Sequence, residues 1–254
     1  MPTLRERLSG PPLALGTWLA IDSTLSAETM GRAGFDAVLL DMQHGGITEA
    51  TLLPMLQALD ATGTPALVRV PWLDPSKIMR AADLGAAGVI VPMVNTAADA
   101  EAAVSAIRYP PRGIRSFGPV RRWYSAEGAA EPTLCIGMIE THEGLENLGA
   151  IAATPGLDGL LVGPVDLALS LGFELSLEMP GAVLNAVKMV AEACAAKGLI
   201  CASVSFGLEN ASRQVECGVT FMTSGSDTMF MRRAADVDLA ALRGLGGKPG
   251  DASA

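Results

Sequence analysis

Four times along the chain, a stretch rich in alanine ends in a glycine and a short apolar run follows at once. The instances are Gly34-Phe35-Asp36-Ala37-Val38-Leu39-Leu40, Gly85-Ala86-Ala87-Gly88-Val89-Ile90-Val91, Gly198-Leu199-Ile200-Cys201-Ala202-Ser203 and Gly218-Val219-Thr220-Phe221-Met222. Glycine suits the left-handed residue just past a helix C-terminus. The runs are apolar at successive positions, not alternate ones, which predicts strands covered on both faces. Leu13 to Ala20, Pro65 to Val70, Leu134 to Ile139 and Leu157 to Val162 read as further strands. Helices fill the intervals. Asp74-Pro75-Ser76 reads as an N-cap followed by Pro at the first helical position, and Thr96-Ala97-Ala98-Asp99 as a capping box before Ala100 to Ile107. Such alternation over roughly 250 residues predicts an α/β fold, a single-domain (β/α)8 TIM barrel, here over residues 1–243. A doubly wound sheet is the alternative, but no G-x-G-x-x-G opens a helix. Tyr109 to Pro132, rich in Pro, Gly and Arg, breaks the rhythm and reads as a lid loop. Residues 244–254 read as a flexible tail.

Composition narrows the partners. Of 254 residues, 50% are hydrophobic and 18% charged, so the chain can bury a full core and is not disordered. A net charge of −9 with no Lys/Arg-rich run argues against nucleic acid. The longest apolar stretch, around Gly85 to Val94, is far short of the ~20 residues that span a membrane. The start, with Arg5, Glu6, Arg7 and Pro11-Pro12, lacks a clean signal-peptide core, which predicts a cytoplasmic protein. The four cysteines (Cys135, Cys194, Cys201, Cys217) form no C-x-x-C pair, and Cys135 and Cys201 lie in apolar runs as small buried hydrophobes. A zinc cluster is poorly served by two distant histidines, His44 and His142.

Active sites of such barrels lie where the strands end. The residues that follow the apolar runs are Asp41, Met42, Gln43 and His44 after the second, Arg69 in the third, Glu140 after the fifth, and Gly163, Pro164, Val165 and Asp166 after the sixth. Asp166 alone reads equally as an ordinary helix cap. Together, however, four strands bring the carboxylates of Asp41, Glu140 and Asp166, a His and an Arg to one rim, which defines a reaction centre. Glu140 and Asp166, completed by water and substrate oxygens, suit a hard octahedral cation, Mg²⁺ or Mn²⁺, with Co²⁺ or Zn²⁺ as further candidates. Such an ion can chelate and polarise a 2-oxo acid. Arg69 is placed to stabilise an enolate oxygen. Histidine titrates near neutral pH, so His44 is the natural acid/base, with Asp41 placed to orient it. Backbone N–H groups of Val165 and Asp166, Pro164 having none, offer a seat for the substrate carboxylate. A Schiff-base mechanism needs a Lys inside the barrel. None of Lys77, Lys188, Lys197 and Lys248 falls on a strand.

These residues carry a family resemblance. The segments Leu15-Gly16-Thr17-Trp18, Ala33 to Asp36, Leu40-Asp41-Met42-Gln43-His44-Gly45, Val68-Arg69-Val70, Val91 to Val94, Arg108-Tyr109-Pro110-Pro111-Arg112-Gly113-Ile114-Arg115, Ile139-Glu140-Thr141 and Val162-Gly163-Pro164-Val165-Asp166-Leu167 occur in order over nearly the whole chain. In these the protein resembles the class II, metal-dependent 2-oxo-acid aldolases of the HpcH/HpaI aldolase family, of the 4-hydroxy-2-oxoheptanedioate aldolase type. The resemblance implies a (β/α)8 barrel assembled as a homo-hexamer, a trimer of dimers with an exchanged C-terminal helix. It implies reversible cleavage of a 4-hydroxy-2-oxo acid to pyruvate, or hydroxypyruvate, and an aldehyde. By position Glu140 and Asp166 hold the metal. His44, paired with Asp41, acts on the C4 hydroxyl, and Arg69 holds the enolate. Gln43 and Gly163 to Asp166 contact substrate. Asp83 matches a family Asp near the site or on the neighbouring subunit, with a plain helix-surface acid as the alternative; Arg115 and Phe117 stand with it.

The chain also departs from the family. Met42-Gln43 replaces a common Gly-Glu, which removes a charge beside the metal. Ser116-Phe117 stands where a Gly often comes first, and Phe117 is a candidate to narrow the aldehyde pocket. His142 reads as a surface residue or a neighbour of Glu140. Arg121, Arg122 and Trp123 read as a lid, a clamp for a distal carboxylate, or a subunit contact. The methionines from Met222 to Met231 read as core or interface packing, and Arg232 and Arg233 as assembly or helix-end charges. Rival readings are an acyl-CoA lyase of the citrate-lyase-like branch, whose phosphates would need Arg108 to Arg122; a phosphosugar isomerase using Thr223-Ser224-Gly225-Ser226 as a phosphate loop; and a non-catalytic barrel scaffold.

Overall fold

The computed structural model describes residues 2–118, 121, 132–176 and 178–245. Among these, eight parallel strands close into a barrel in chain order. They are β1 (Ala14–Leu19), β2 (Ala37–Asp41), β3 (Ala66–Arg69), β4 (Gly88–Val91), β5 (Leu134–Ile139), β6 (Gly159–Val162), β7 (Ile200–Ser205) and β8 (Phe221–Ser226). The helices are α1 (Leu4–Ser9), α2 (Thr24–Gly31), α3 (Glu49–Asp60), α4 (Pro75–Asp83), α5 (Ala97–Ile107), α6 (His142–Glu146), α7 (Leu148–Ala152), α8 (Pro164–Ser170), α9 (Gly181–Lys197), α10 (Leu208–Glu216) and α11 (Asp227–Leu245). The predicted barrel is therefore the observed one.

The continuous apolar runs are explained by two cores. Alternate strand residues Leu39, Leu67, Ile90, Ile136, Leu161 and Phe221 fill the barrel interior. Their neighbours Val38, Leu40, Val68, Val89 and Val162 face outward into the layer shared with the helices, whose members include Leu52, Met55, Ile78 and Val187. Both faces of each strand are thus apolar. The four glycines that precede strands, Gly34, Gly85, Gly198 and Gly218, all take positive φ, between 65° and 102°. Asp74 caps α4 by accepting the Ser76 N–H, with Pro75 in the first turn, and Thr96 and Asp99 form the expected capping box on α5.

Two elements lie outside the predicted pattern. Helix α1 inserts Leu4 and Leu8 among the interior residues, which stoppers the N-terminal end of the barrel. Arg5 fixes it there by an ion pair to buried Asp158 at 2.9 Å, and Arg108 holds the other oxygen of that carboxylate at 2.8 Å. Strand β8 runs on through Thr223-Ser224-Gly225-Ser226, which pairs with β1 and β7. That segment is sheet, not a phosphate loop. Polar side chains made it look like a turn because it approaches the rim.

Helix α11 extends through Leu245, so residues 244 and 245 belong to it and not to a tail; residues 246–254 lie outside the described chain. Asp227 is its only buried residue. Met229, Met231, Val237, Leu239, Leu242 and Leu245 are exposed. No helix among the described residues is long and apolar enough to cross a membrane. The four cysteines are free, three of them buried.

Candidate active site

The parallel strands point their C-terminal ends to one rim. β2 ends on Asp41 and β3 on Arg69, and these two are register partners. The Arg69 guanidinium grips Asp41 with two hydrogen bonds, Nε to Oδ1 at 2.9 Å and Nη2 to Oδ2 at 2.6 Å. The fork geometry makes this a strong, directional pair. Its cationic carbon lies 4.6 Å from the centroid of the Trp18 ring, on β1. The Trp18 Nε1–H donates to Thr223 Oγ1 at 3.0 Å, and that hydroxyl donates to the Ser203 carbonyl at 3.1 Å. Arg69 is thus fixed by a carboxylate on one strand and a bonded indole on another.

Asp41 also shapes the loop that follows. Its Oδ1 accepts the backbone N–H groups of Gln43 at 3.0 Å and His44 at 3.2 Å. Sequence suggested that Asp41 orients the His44 ring. In the structure it holds the main chain of His44, and its side-chain bonds go to Arg69. His44 itself is exposed on the rim. The Oε1 atom of Gln43 is buried and carries no hydrogen bond.

Glu140, just past β5, is only 2% exposed. Its Oε1 accepts the Met93 N–H at 2.6 Å. Met93 adopts φ 56°, the one non-glycine residue with positive φ among the described residues. That left-handed turn costs energy for a residue with a side chain, and it aims the amide at the carboxylate. Gly163 borders the other oxygen, because a Cβ there would meet Glu140 Oε2 at 2.7 Å. Burial pushes the Glu140 proton affinity up, the Met93 amide lowers it, the Asp166 charge raises it and the Arg69 charge lowers it. Glu140, Asp166 and Arg69 therefore share one electrostatic neighbourhood. Asp166 is exposed in the first turn of α8. The Gly163 N–H is spent on the Ile139 carbonyl and Pro164 has none, so the amides of Val165 and Asp166 are those left at this helix start.

The two carboxylates fit a hard cation. They supply oxygen donors from adjoining strand ends, and Glu140 Oε2 has no hydrogen bond among the described residues. No group of three His, Cys, Asp or Glu side chains is placed to hold a metal among the described residues. Water and substrate oxygens must complete any coordination shell, which is the Mg²⁺ and Mn²⁺ pattern.

The other expected residues lie elsewhere. Asp83 ends α4 and Arg115 follows α5, so both sit at the N-terminal end of the barrel. There Asp83 Oδ1 accepts from Arg115 Nε at 3.0 Å and Nη2 at 2.7 Å. Arg115 also stacks on Tyr109 at 4.7 Å, and Phe117 meets the same ring at 5.6 Å. Within one subunit, none of Asp83, Arg115 and Phe117 borders the rim. Of the expected lid loop, Tyr109 to Pro132, residues 119, 120 and 122–131 lie outside the described residues, and the described part lies away from the rim of its own subunit. Residues 109–118 follow a helix and lead towards a strand, which fixes them at the end opposite the site, and Arg121 there pairs with Asp60 and the Leu84 carbonyl. Arg122 and Trp123 lie outside the described residues. Arg108, wanted for CoA phosphates in one rival reading, is committed to Asp158 and to the Thr133 and Gly156 carbonyls. His142 is exposed and lies 3.8 Å from Glu146. Arg232 bonds Asp236, one turn on, and Arg233 lies over Phe230. Met222 is buried, whereas Met229 and Met231 are exposed. Trp18, Met93 and Asp227 were not singled out for a role by their sequence. Asp227 follows β8 as Glu140 follows β5, and would have stood out had that strand been read to its end.

A closed parallel barrel with paired and buried charges on its C-terminal rim defines a barrel enzyme. Comparison names the family. The sequence profile of HpcH/HpaI aldolase/citrate lyase matches residues 14–234, and the chain belongs to that family. It is 40% identical to a hydroxypyruvate/pyruvate aldolase of Rhizorhabdus wittichii, over 91% of this chain and 95% of that one. It is 39% identical to a 2-dehydro-3,6-dideoxy-6-sulfogluconate aldolase of Pseudomonas putida, over 94% and 95%. A crystal structure of a HpcH/HpaI aldolase/citrate lyase family protein from Burkholderia cenocepacia superposes with TM-score 0.85 at 30% identity, covering 96% of this chain and 100% of that one.

Proposed function

We propose that the protein is a divalent-metal-dependent aldolase that cleaves a 4-hydroxy-2-oxo acid reversibly to pyruvate, or hydroxypyruvate, and an aldehyde. The observation that carries this reading is the rim itself: a buried Glu140 beside Asp166, next to an Arg69 locked by Asp41. The aldolase names of relatives at 40% and 39% identity support the reaction class.

The chain's own residues divide the work. Glu140 and Asp166 would hold the metal, Mg²⁺ or Mn²⁺ before Co²⁺ or Zn²⁺. When bound, such an ion polarises the C2 carbonyl as a Lewis acid. Val165 and Asp166 amides receive the substrate carboxylate, and Gln43 contacts the substrate from the loop after β2. Arg69 has Nε and Nη2 engaged by Asp41, which leaves Nη1 to stabilise the negative oxygen as C3–C4 breaks. His44 takes the proton from the C4 hydroxyl in cleavage and returns it in synthesis.

The assembly in this reading is a homo-hexamer, a trimer of dimers with α11 exchanged. An amphipathic helix that leaves its apolar side uncovered in one subunit supports this. Assembly also offers the only route by which Asp83, Arg115 and Phe117 approach a rim, that of a neighbour. Four free cysteines accord with the reducing cytoplasm.

The test is proton NMR of pyruvate in D₂O with the purified protein, with Mg²⁺ or Mn²⁺ and with EDTA. Metal-dependent loss of the methyl signal, abolished by Arg69→Ala, is expected. Absence of exchange with pyruvate and with hydroxypyruvate overturns the aldolase reading, and exchange that survives EDTA with no bound metal overturns the metal mechanism.

A further inference from the structure

Asp227 is 2% exposed, and its carboxylate gathers several donors. Oδ1 accepts from the Ala20 N–H at 2.9 Å and the Thr228 N–H at 2.8 Å. Oδ2 accepts from the Ile21 N–H at 3.2 Å and the Ser26 hydroxyl at 2.7 Å. Helix capping does not explain this arrangement. Ser226 serves α11 in that role, since its hydroxyl accepts the Met229 N–H at 3.3 Å. The Asp227 carboxylate instead turns across to the segment after β1.

The bonded peptide faces the catalytic loop. The amide unit joining Ala20 to Ile21 donates its N–H to Asp227, and its carbonyl accepts the Gly46 N–H at 2.7 Å. An anion on the N–H side of an amide strengthens its carbonyl as an acceptor. Gly46 is two residues past His44. Between them Gly45 has no room for a side chain, because a Cβ would meet the Asp41 carbonyl at 2.4 Å and Ala20 Cα at 3.0 Å. The His44 backbone is therefore tied upstream to Asp41 and downstream, through Gly46 and Ala20–Ile21, to Asp227.

We infer that Asp227 is a positioning residue for His44, acting through the Ala20–Ile21 peptide and Gly46. The inference rests on the acid/base role of His44 proposed above. Loss of the carboxylate frees one end of the loop, and a shift near 1 Å in a catalytic group costs on the order of 10²-fold in rate.

Two measurements test it on the intact protein. The first is a double-mutant cycle for addition of pyruvate to glycolaldehyde with Mn²⁺. Asp227→Asn is expected to lower kcat about 10- to 100-fold with KM changed less than about twofold, and to have no further effect when His44 is already Ala. The second uses ring-labelled histidine. The chain has two histidines, so His142 on α6 is an internal control. Asp227→Asn is expected to move the His44 ring signal, leave that of His142 in place, and leave Mn²⁺ binding unchanged. An Asp227→Asn loss that persists on the His44→Ala background, or a Mn²⁺ affinity that falls in parallel, overturns the inference while sparing the aldolase reading. Full activity in His44→Ala overturns the acid/base role of His44 and the inference with it, while leaving the aldolase reading in place. Should Asp227→Asn not fold, Ser26→Ala removes one donor only; it must shift the His44 signal alone, and no shift overturns the inference.

Discussion

Arg69 and Asp41 are cross-strand register partners joined by two hydrogen bonds, 2.9 and 2.6 Å long, with side chains 11% and 9% exposed. One partner without the other leaves an uncompensated charge in a poorly hydrated place. Removing one member of such a pair costs about 3–5 kcal/mol. Arg69→Ala and Asp41→Ala are both expected to lower the urea midpoint. Arg69→Lys keeps the charge but loses the fork and the flat contact with Trp18. It is expected to keep most of the stability and to lose about 10²-fold or more in pyruvate methyl exchange, as NMR will read.

Glu140 has a raised proton affinity, chiefly through burial. Folding therefore favours its protonated form. That contribution to stability is fully present below the ordinary Glu range and is lost as pH rises through the raised value. Ionising this buried carboxylate in the metal-free protein therefore carries a cost. Glu140→Gln removes the charge and keeps an acceptor for the Met93 N–H. The metal-free Tm at neutral pH should rise while Mn²⁺ binding, followed by calorimetry, is lost. In the wild-type protein Mn²⁺ affinity should begin to fall at a higher pH than an exposed Glu would dictate, since proton and metal compete for one group.

Met93 bears a left-handed backbone so that its N–H meets Glu140. Glycine adopts that conformation freely, while a β-branched residue resists it. Met93→Gly is expected to stay within about 1 kcal/mol of the wild type in urea unfolding, the relief of strain offsetting lost packing. Met93→Val is expected to cost about 2 kcal/mol or more, and to weaken Mn²⁺ binding as the amide turns away.

The exposed apolar residues of α11 give a test of assembly. Val237→Glu together with Leu242→Glu would set charges among them. Sedimentation should then show smaller species than the wild type, while circular dichroism retains the barrel's helix content. An unchanged sedimentation coefficient argues that α11 serves no interface.

The barrel was legible because its strands lie between two apolar layers. Residues such as Val38 and Leu39 face opposite cores, so no polar position interrupts the run, and glycines such as Gly34 and Gly85 mark the approach to a strand. The rim was legible for a related reason: an apolar strand that stops at Asp41, Arg69 or Glu140 announces where the apolar layers end and a polar site begins. Partnership was not legible. Asp41 lies three residues from His44 and 28 from Arg69, and sequence proximity favours the nearer one. Only the register of β2 against β3 gives the carboxylate to Arg69. The placement of Tyr109 to Gly118 failed for a similar reason. A loop rich in Arg and Pro looks functional, but its order after a helix sends it to the far end of the barrel. Met93 left no compositional trace, since its role lies in its main chain.

The stacking of Trp18 under Arg69 has an optical consequence. The chain has three tryptophans, and of the two described, Trp72 is exposed to water while Trp18 is enclosed, with a cation at 4.6 Å and its N–H bonded. An indole's emission responds to the electric field across its ring. An anion arriving at Arg69 changes that field without touching the indole. The protein therefore carries its own fluorophore beneath Arg69, and a titration watched in Trp18 emission is expected to follow an anion's occupancy of the rim before any bond is made or broken.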